Sequence, residues 1–214
     1  MISWRNALVA ITIGLTATSC DSNEDEVVPL PVTTASDVPA DPNTGRDPTT
    51  GAPIGATGRY TFFNLSSNQI ILDRENENRS DSTSTKWDIA FQSTNIIVNS
   101  TATGGGEGGV QVLNADFDSV IDAPEDGYST ETVGLESSSN LAWGVYNPQT
   151  MIVFPLDGKT LVVKTADGKY AKVQIISYYK GAPRVPDIFV DESRYYTFEF
   201  VYQSDGSRTF PQEP

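Results

Sequence analysis

The sequence predicts an all-β protein with one antiparallel, multi-stranded domain. Several short segments alternate between apolar and polar residues, as strands with one buried face do. Glycine, proline and Asp-Gly pairs separate these segments at intervals typical of antiparallel turns. No segment shows a sustained apolar period of 3.6 residues, which an amphipathic helix requires. We therefore expect a sandwich or a similar antiparallel meander.

The first half of the domain contains three candidate strands. Tyr60–Asn64 and Gln69–Leu72 are short apolar segments of the right length. In residues 87–91, large apolar side chains alternate with Asp88 and Ala90, which predicts a half-buried strand.

The second half contains two candidate hairpins. Met151–Leu156 and Thr160–Lys164 are apolar segments on either side of Asp157-Gly158, a pattern typical of a tight hairpin. A second hairpin is predicted through Asp167-Gly168 into Lys169–Tyr179.

The last two strands show the clearest alternation in the chain. The predicted core face of the first carries Ala171, Val173 and Ile175, with Lys172 and Gln174 on the opposite face. The predicted aromatic face of the second carries Tyr196, Phe198, Phe200 and Tyr202, with Thr197 and Glu199 opposite.

The amino terminus has the pattern of a lipoprotein signal peptide. Residues 1–6 carry one positive charge, and residues 7–16 form an apolar run too short to span a bilayer. The small residues 17–19 precede Cys20, the only cysteine. We expect residues 1–19 to be removed and Cys20 to be acylated, with palmitate among the acyl chains, since stable anchoring requires two or more. The alternative is an ordinary cleaved signal peptide with a cysteine nearby by chance.

An acidic run follows the predicted anchor. It consists of Asp21, Glu24, Asp25 and Glu26, and it resembles the surface-export signal of Bacteroidetes-type lipoproteins. We therefore expect the protein on the outer membrane, facing the exterior; the alternative is a solvated start to a linker. Residues 20–57 are rich in proline and polar residues and poor in aliphatic ones, which predicts a disordered linker before a domain over 58–214.

Composition excludes several classes of function. The chain has a net charge of −14, so it lacks the positive surface that nucleic acid requires. It contains no histidine, which removes the commonest metal ligand and every imidazole-based catalytic triad. We therefore expect neither an enzyme nor a structural metal site.

An ordered series of motifs resembles the HmuY family of lipid-anchored, haem-capturing proteins, over about residues 58–203. The motifs are Thr85–Phe91, Gly104–Val112, Pro124–Tyr128, Val163–Val173, Ile175–Lys180 and Tyr196–Tyr202. The resemblance implies an all-β fold of many short strands. It also implies a lipoprotein, monomeric or weakly self-associating, that works beside an outer-membrane haem receptor.

The resemblance also implies where a haem iron would be held. Haem-binding members use two axial histidines or methionines, one from an insertion before a tryptophan strand and one just beyond that tryptophan. Here the first segment, Ser129–Leu141, contains neither residue type, so a bis-His or bis-Met pair is excluded. The remaining haem-binding candidates are Met151, Tyr146 and Trp143, with at most one thioether ligand. The alternative places Met151 in a core strand and makes Trp143 and Tyr146 packing residues.

Other motifs have simpler interpretations. The glycine run 104–109 predicts a flexible loop or a bulged strand edge. Asp116 and Asp118 could offer oxygen ligands to calcium, but two acids alone indicate a solvated edge. Two functions stay open: a surface haem- or porphyrin-binding lipoprotein, and a non-haem binding or adhesion module on the same scaffold.

Overall fold

A computed structural model describes residues 28–136 and 141–212. The prediction of an all-β fold is confirmed. The strands of the described residues are β1 Thr33–Pro39, β2 Gly45–Arg46, β3 Pro53–Ile54, β4 Thr61–Asn64, β5 Gln69–Leu72, β6 Ile89–Gln92, β7 Asn95–Val98, β8 Gly109–Asn114, β9 Gly134–Leu135, β10 Ala142–Asn147, β11 Ile152–Pro155, β12 Lys159–Lys164, β13 Tyr170–Tyr179 and β14 Ser193–Gln203. Two short 3₁₀ helices occupy Ser80–Thr83 and Phe117–Ser119.

The strands form four sheets, and every pairing but one is antiparallel. The largest sheet has the order β1-β14-β13-β12-β8, and a second has the order β5-β4-β6-β7. A three-stranded sheet, β11-β10-β9, contains the single parallel pair, β9 with β10. Strands β2 and β3 form a separate ribbon.

The main core lies between the two largest sheets. Phe198 of β14 is fully buried, and its ring centroid lies 5.3 Å from those of Phe63 on β4 and Phe91 on β6. Tyr196 and Phe200 are buried on the same face, so the predicted aromatic face is confirmed. Such edge and tilted contacts add to the area that aromatic side chains remove from water.

Strand β6 is buried on both faces and not, as we expected, on one. Ile89 and Phe91 belong to the main core, while Trp87 and Ala90 pack into a second cluster on the other side. Asp88 is also buried, and its carboxylate accepts hydrogen bonds from backbone N–H groups. Apolar alternation therefore understates burial where a second cluster covers the outer face.

The hairpin predicted through Asp167-Gly168 is confirmed, and the one predicted through Asp157-Gly158 is wrong. Strands β12 and β13 pair directly. Strand β11 instead pairs with β10, because both edges of β12 are occupied by β8 and β13. The turn at Gly158, where φ is +64°, thus carries the chain from one sheet to another.

The linker predicted over 20–57 is wrong from Thr33 onward. Strand β1 pairs with the outer edge of β14, and it buries Ala35 and Val38. Beyond it, Asp41 is fully buried and accepts hydrogen bonds from Thr57 and Gly58. Residues 33–57 therefore belong to the domain, held by backbone pairing and buried polar contacts that composition does not reveal.

The structure does not test the predictions made for the amino terminus. The predicted signal peptide, residues 1–19, and the predicted lipidation site, Cys20, lie outside the described residues. Across residues 28–136 and 141–212, no helix has the length and apolar character needed to cross a membrane.

The glycine run 104–109 is a packed loop that leads into β8 at Gly109, so of the two expectations, a flexible loop or a bulged strand edge, the flexible loop is wrong. The backbone N–H groups of Gly105 and Gly106 donate to Asn99 Oδ1 at 3.0 and 2.9 Å. A Cβ on Gly108 would lie 2.4 Å from the Asn99 carbonyl oxygen. The glycines are needed because two backbone segments approach closely here.

Candidate functional site

An open groove of about 730 Å³ contains the only methionine among the described residues, and we call it the Met151 groove. It is lined by Asn43, Thr44, Gly45, Arg46, Gly51, Pro53, Met151, Tyr179, Ile188, Phe189, Asp191, Glu192 and Ser193. One wall comes from the amino-terminal segment and the other from the connection between β13 and β14. Its volume is within the range of small-molecule and cofactor sites.

Met151 lies in the turn between β10 and β11. The side-chain oxygen of Asn147 accepts hydrogen bonds from the backbone of Gln149 and Thr150, which begins the turn. Met151 closes it with φ at +59°, and its side chain is 51% exposed. The alternative of a core strand residue is therefore wrong for Met151, and its thioether is accessible from the groove.

Trp143 is a packing residue, as one of the two interpretations expected. Its side chain is 1% exposed, and its indole N–H donates to the Thr94 carbonyl at 2.9 Å. Its ring centroid lies 5.2 Å from that of Tyr196 in the main core. Trp143 thus offers no face to a ligand.

Tyr146 lies on β10, opposite Val153, and is 47% exposed. It does not line the Met151 groove. The structure therefore brings neither Trp143 nor Tyr146 into the groove beside Met151.

Tyr179 lines the groove and was not identified from the sequence. Its hydroxyl oxygen accepts a hydrogen bond from the Val153 backbone N–H at 3.1 Å, and its side chain is buried. Burial raises the pKa of Tyr179, against the opposing effect of that hydrogen bond. The phenol consequently stays protonated at neutral pH, and it provides shape and not an anionic ligand.

The connection between β13 and β14 presents apolar side chains to solvent. Val185, Phe189 and Val190 are 80%, 86% and 76% exposed. The loop is nonetheless ordered locally, because Asp187 Oδ1 accepts from the Phe189 N–H and the Asp187 carbonyl accepts from the Asp191 N–H. The apolar triplet between two aspartates, residues 187–191, is the sequence signal that indicates an exposed apolar loop here.

The side chains of the groove fit part of a haem and not all of it. Ile188 and Phe189 offer apolar contact to a flat ring, and Arg46 offers a cation to carboxylates at its edge. Met151 offers one thioether. Within the described ranges, no group of three or more histidine, cysteine or acidic side chains could hold a metal ion. The lining contains one methionine and no histidine or cysteine, so one thioether is the soft or imidazole-type ligand that it offers to iron.

The fold and the groove define a class of protein, an all-β scaffold with an open surface groove. A family model described as HmuY protein matches residues 56–153. Over these residues the chain is therefore similar to the HmuY family, as its motifs predict. No curated protein matches the sequence significantly.

Three solved bacterial proteins are similar to this chain at low sequence identity. A Tannerella forsythia protein named as an apo HmuY analogue is 16% identical, with a TM-score of 0.46, and the match covers 84% of this chain and 99% of that one. A Bacteroides vulgatus ATCC 8482 protein named as HmuY-like and haem-binding is 21% identical, with a TM-score of 0.42 and coverage of 75% and 97%. A Bacteroides fragilis NCTC 9343 protein named as a lipoprotein is 17% identical, with a TM-score of 0.40 and coverage of 72% and 84%.

Proposed function

We propose that this protein is a lipid-anchored surface protein that captures haem or porphyrin in the Met151 groove. Capture depends on apolar contact, and the Met151 thioether is the side chain that would hold the iron of a bound haem. The observation that carries the proposal is the exposed Met151, fixed at a turn on the rim of the groove. The similarity of residues 56–153 to the HmuY family supports the choice of ligand.

Each wall of the groove has a distinct role in this proposal. Phe189 and Ile188 exclude water from one face of the ring, and Arg46 pairs with a carboxylate at its edge. Met151 fixes the depth and orientation of the ring. A bound haem would supply an iron with open axial positions, and a thioether is a soft ligand suited to low-valent iron.

The location of the protein on the outer membrane is part of the proposal. Acylation of Cys20 would hold the domain on the outer membrane, where the exposed groove could exchange its ligand with an outer-membrane haem receptor. Replacing Cys20 with alanine should release the full chain from membranes. Unchanged membrane retention of that variant would contradict the anchor.

Spectroscopic titration tests the ligand. We expect the mature chain, from residue 20, to bind ferrous haem saturably at micromolar concentration with a shifted Soret band. Protoporphyrin without iron should also bind, because most contacts are apolar. Met151→Gly should abolish the shift in the Soret band and retain the porphyrin, while Ile121→Ala, an equally exposed apolar site outside the groove, should change neither. Absence of saturable binding by either compound would overturn the proposal.

A second function, binding of a non-haem partner, is favoured by one observation. The apolar side chains of Val185 and Val190 are exposed beside Phe189, outside the lining of the groove. Exposed apolar side chains clustered in an ordered loop are typical of protein contacts. This function would replace haem capture if the titration shows no binding and a Val185→Ser, Val190→Ser variant loses attachment of the cell to a surface.

A further inference from the structure

Lys172 is buried at the opposite end of β13 from the Met151 groove. The alternation of β13 assigns it to the face away from the main core, yet its side chain is only 2% exposed. The rings of Phe117 and Phe210 lie over its ammonium, and they belong with Val120 and Ala123 to a separate apolar cluster on this face. Seven residues of strand separate Lys172 from Tyr179, about 23 Å, so the two locations are distinct.

The Lys172 ammonium has no carboxylate partner within ion-pair distance among the described residues. Its Nζ donates to the carbonyls of Phe117 and Val120, at 2.8 and 3.0 Å. It also lies 4.5 Å from the ring centroid of Phe117 and 5.8 Å from that of Phe210. An ammonium has three N–H donors, so one remains after these two hydrogen bonds.

Burial of this amine is costly in the absence of an anion. Burial lowers the pKa of Lys172, and the carboxylate of Asp118 partly opposes that effect. A buried charge is stable when it is both hydrogen-bonded and paired, and here only the first condition is met.

A groove of about 550 Å³ adjoins the amine. It is lined by Pro29, Leu30, Pro31, Val32, Phe117, Asp118, Lys172, Val201, Phe210, Pro211 and Gln212. Three of these residues are prolines, which present no backbone N–H, and five others have aliphatic or aromatic side chains. The lining thus combines one buried cation with an apolar channel.

We infer that this second groove binds a medium-chain fatty acid. Its carboxylate accepts a hydrogen bond from Lys172 Nζ, and its aliphatic chain lies against Leu30, Val32 and Phe210. The charge of Lys172 selects an acid over a neutral chain of the same length, and the apolar lining selects an aliphatic body over a small anion such as acetate. Asp118 at the edge of the groove weakens the site, because two carboxylates then lie near one amine.

Calorimetric titration of the mature chain with dodecanoate and with 1-dodecanol tests this inference. We expect saturable binding of dodecanoate, and binding of the alcohol at least about tenfold weaker, which is the effect of losing a charged hydrogen bond. Lys172→Met should weaken dodecanoate binding by a similar factor. Lys164→Met on the neighbouring strand, outside the groove, should leave it unchanged. Circular dichroism shows whether each variant is folded.

Two further variants keep the inference testable if Lys172→Met fails to fold. Asp118→Asn should tighten dodecanoate binding, because it removes the competing carboxylate. Val32→Trp, at a position 55% exposed, should obstruct the groove and weaken binding. Absence of saturable binding by dodecanoate would overturn the inference, and so would equal binding of the alcohol or an unchanged affinity in Lys172→Met.

Discussion

The β13–β14 pair and the segment 33–58 lie side by side in the structure but differ in what holds them. Strand β14 contributes Tyr196, Phe198 and Phe200 to the main core, and apolar burial dominates. The segment 33–58 buries few large side chains, and it is fixed by pairing with β14 and by hydrogen bonds to buried Asp41. A strong sheet edge can therefore order a chain whose own composition predicts disorder.

This difference matters for function because the Met151 groove lies where the two regions meet. Arg46 and Pro53 come from the polar segment, while Tyr179 and Phe189 come from β13 and the loop after it. One wall is thus held by apolar burial and the other by a few polar contacts. We therefore expect local opening of the polar wall to cost less free energy than opening of the apolar wall.

The largest expected effect is on the apolar region. Phe198→Ala removes a fully buried ring from between Phe63 and Phe91 and should cost about 3–5 kcal/mol of unfolding free energy. Phe189→Ala makes the same chemical change at a position that is 86% exposed. It should change the unfolding free energy by no more than about 0.5 kcal/mol. Urea unfolding measures both. Similar losses in the two variants would contradict the assignment of the core.

The next effect is on the polar segment. Asp41→Ala leaves the N–H groups of Thr57 and Gly58 without their acceptor and removes the anion 3.6 Å from Arg74. We expect a loss of about 2–3 kcal/mol, the cost of unsatisfied buried donors. Amide exchange should accelerate at Thr57 and Gly58 while β14 stays protected.

A control variant separates this effect from the loss of any carboxylate. Asp47 also accepts two backbone hydrogen bonds, from Thr49 and Thr50, but it is only partly buried, whereas Asp41 is fully buried. Asp47→Ala should therefore cost less than Asp41→Ala, because water replaces the lost acceptor. Equal costs, or faster exchange in β14 than at Thr57, would show that Asp41 does not hold the segment.

These two regions also show how far the sequence predicts the structure. The buried face of β14 can be predicted from alternation alone, because aromatic residues occupy every second position and only one face of the strand carries them. The structured state of 33–58 does not follow, because it depends on β14 and on Thr57, Gly58 and Arg74, which are distant in sequence. Burial of Lys172 is missed for the same reason, since its cover comes from Phe117 and Phe210.

The candidate site was predicted only in part. Met151 was identified because methionine is rare in this chain, but its exposure depends on the turn that Asn147 begins. The rest of the groove comes from three separate segments, and no local pattern brings Arg46 and Phe189 together. A sequence therefore shows which side chains are chemically available more readily than which of them meet.

Two buried aspartates make stability depend on pH in opposite directions. Burial raises the pKa of Asp88 above 3.8, despite N–H donors from Leu65 and Ala166. The folded state then binds this proton more tightly, so its contribution to stability falls as pH rises from 3.8 through the raised pKa. Burial also acts to raise the pKa of Asp41. The hydrogen bonds from Thr57 and Gly58 and the charge of Arg74 outweigh it, so the pKa of Asp41 is lowered.

The contribution of Asp41 to folding stability therefore changes with pH in the opposite direction. It is fully present above pH 3.8 and is lost as pH falls through the lowered pKa. Urea midpoints measured across this range test both signs. In Asp41→Asn the midpoint should no longer fall at low pH. In Asp88→Asn it should no longer fall as pH rises above 3.8. If both variants keep the pH dependence of the natural chain, other groups control it.

The smallest expected effect on stability is at the junction of the two regions. Met151 has a positive φ of 59°, a conformation that glycine adopts without strain and that a β-branched residue resists. Met151→Gly relieves that strain and adds backbone entropy to the unfolded chain, two opposing contributions that leave a net change of about 0.5 kcal/mol or less. Met151→Val should be less stable than Met151→Gly. Because both variants remove the thioether, both should lose the proposed Soret shift, whatever their stability. A variant that keeps the shift would show that the groove binds haem through apolar contact alone, without a ligand from Met151.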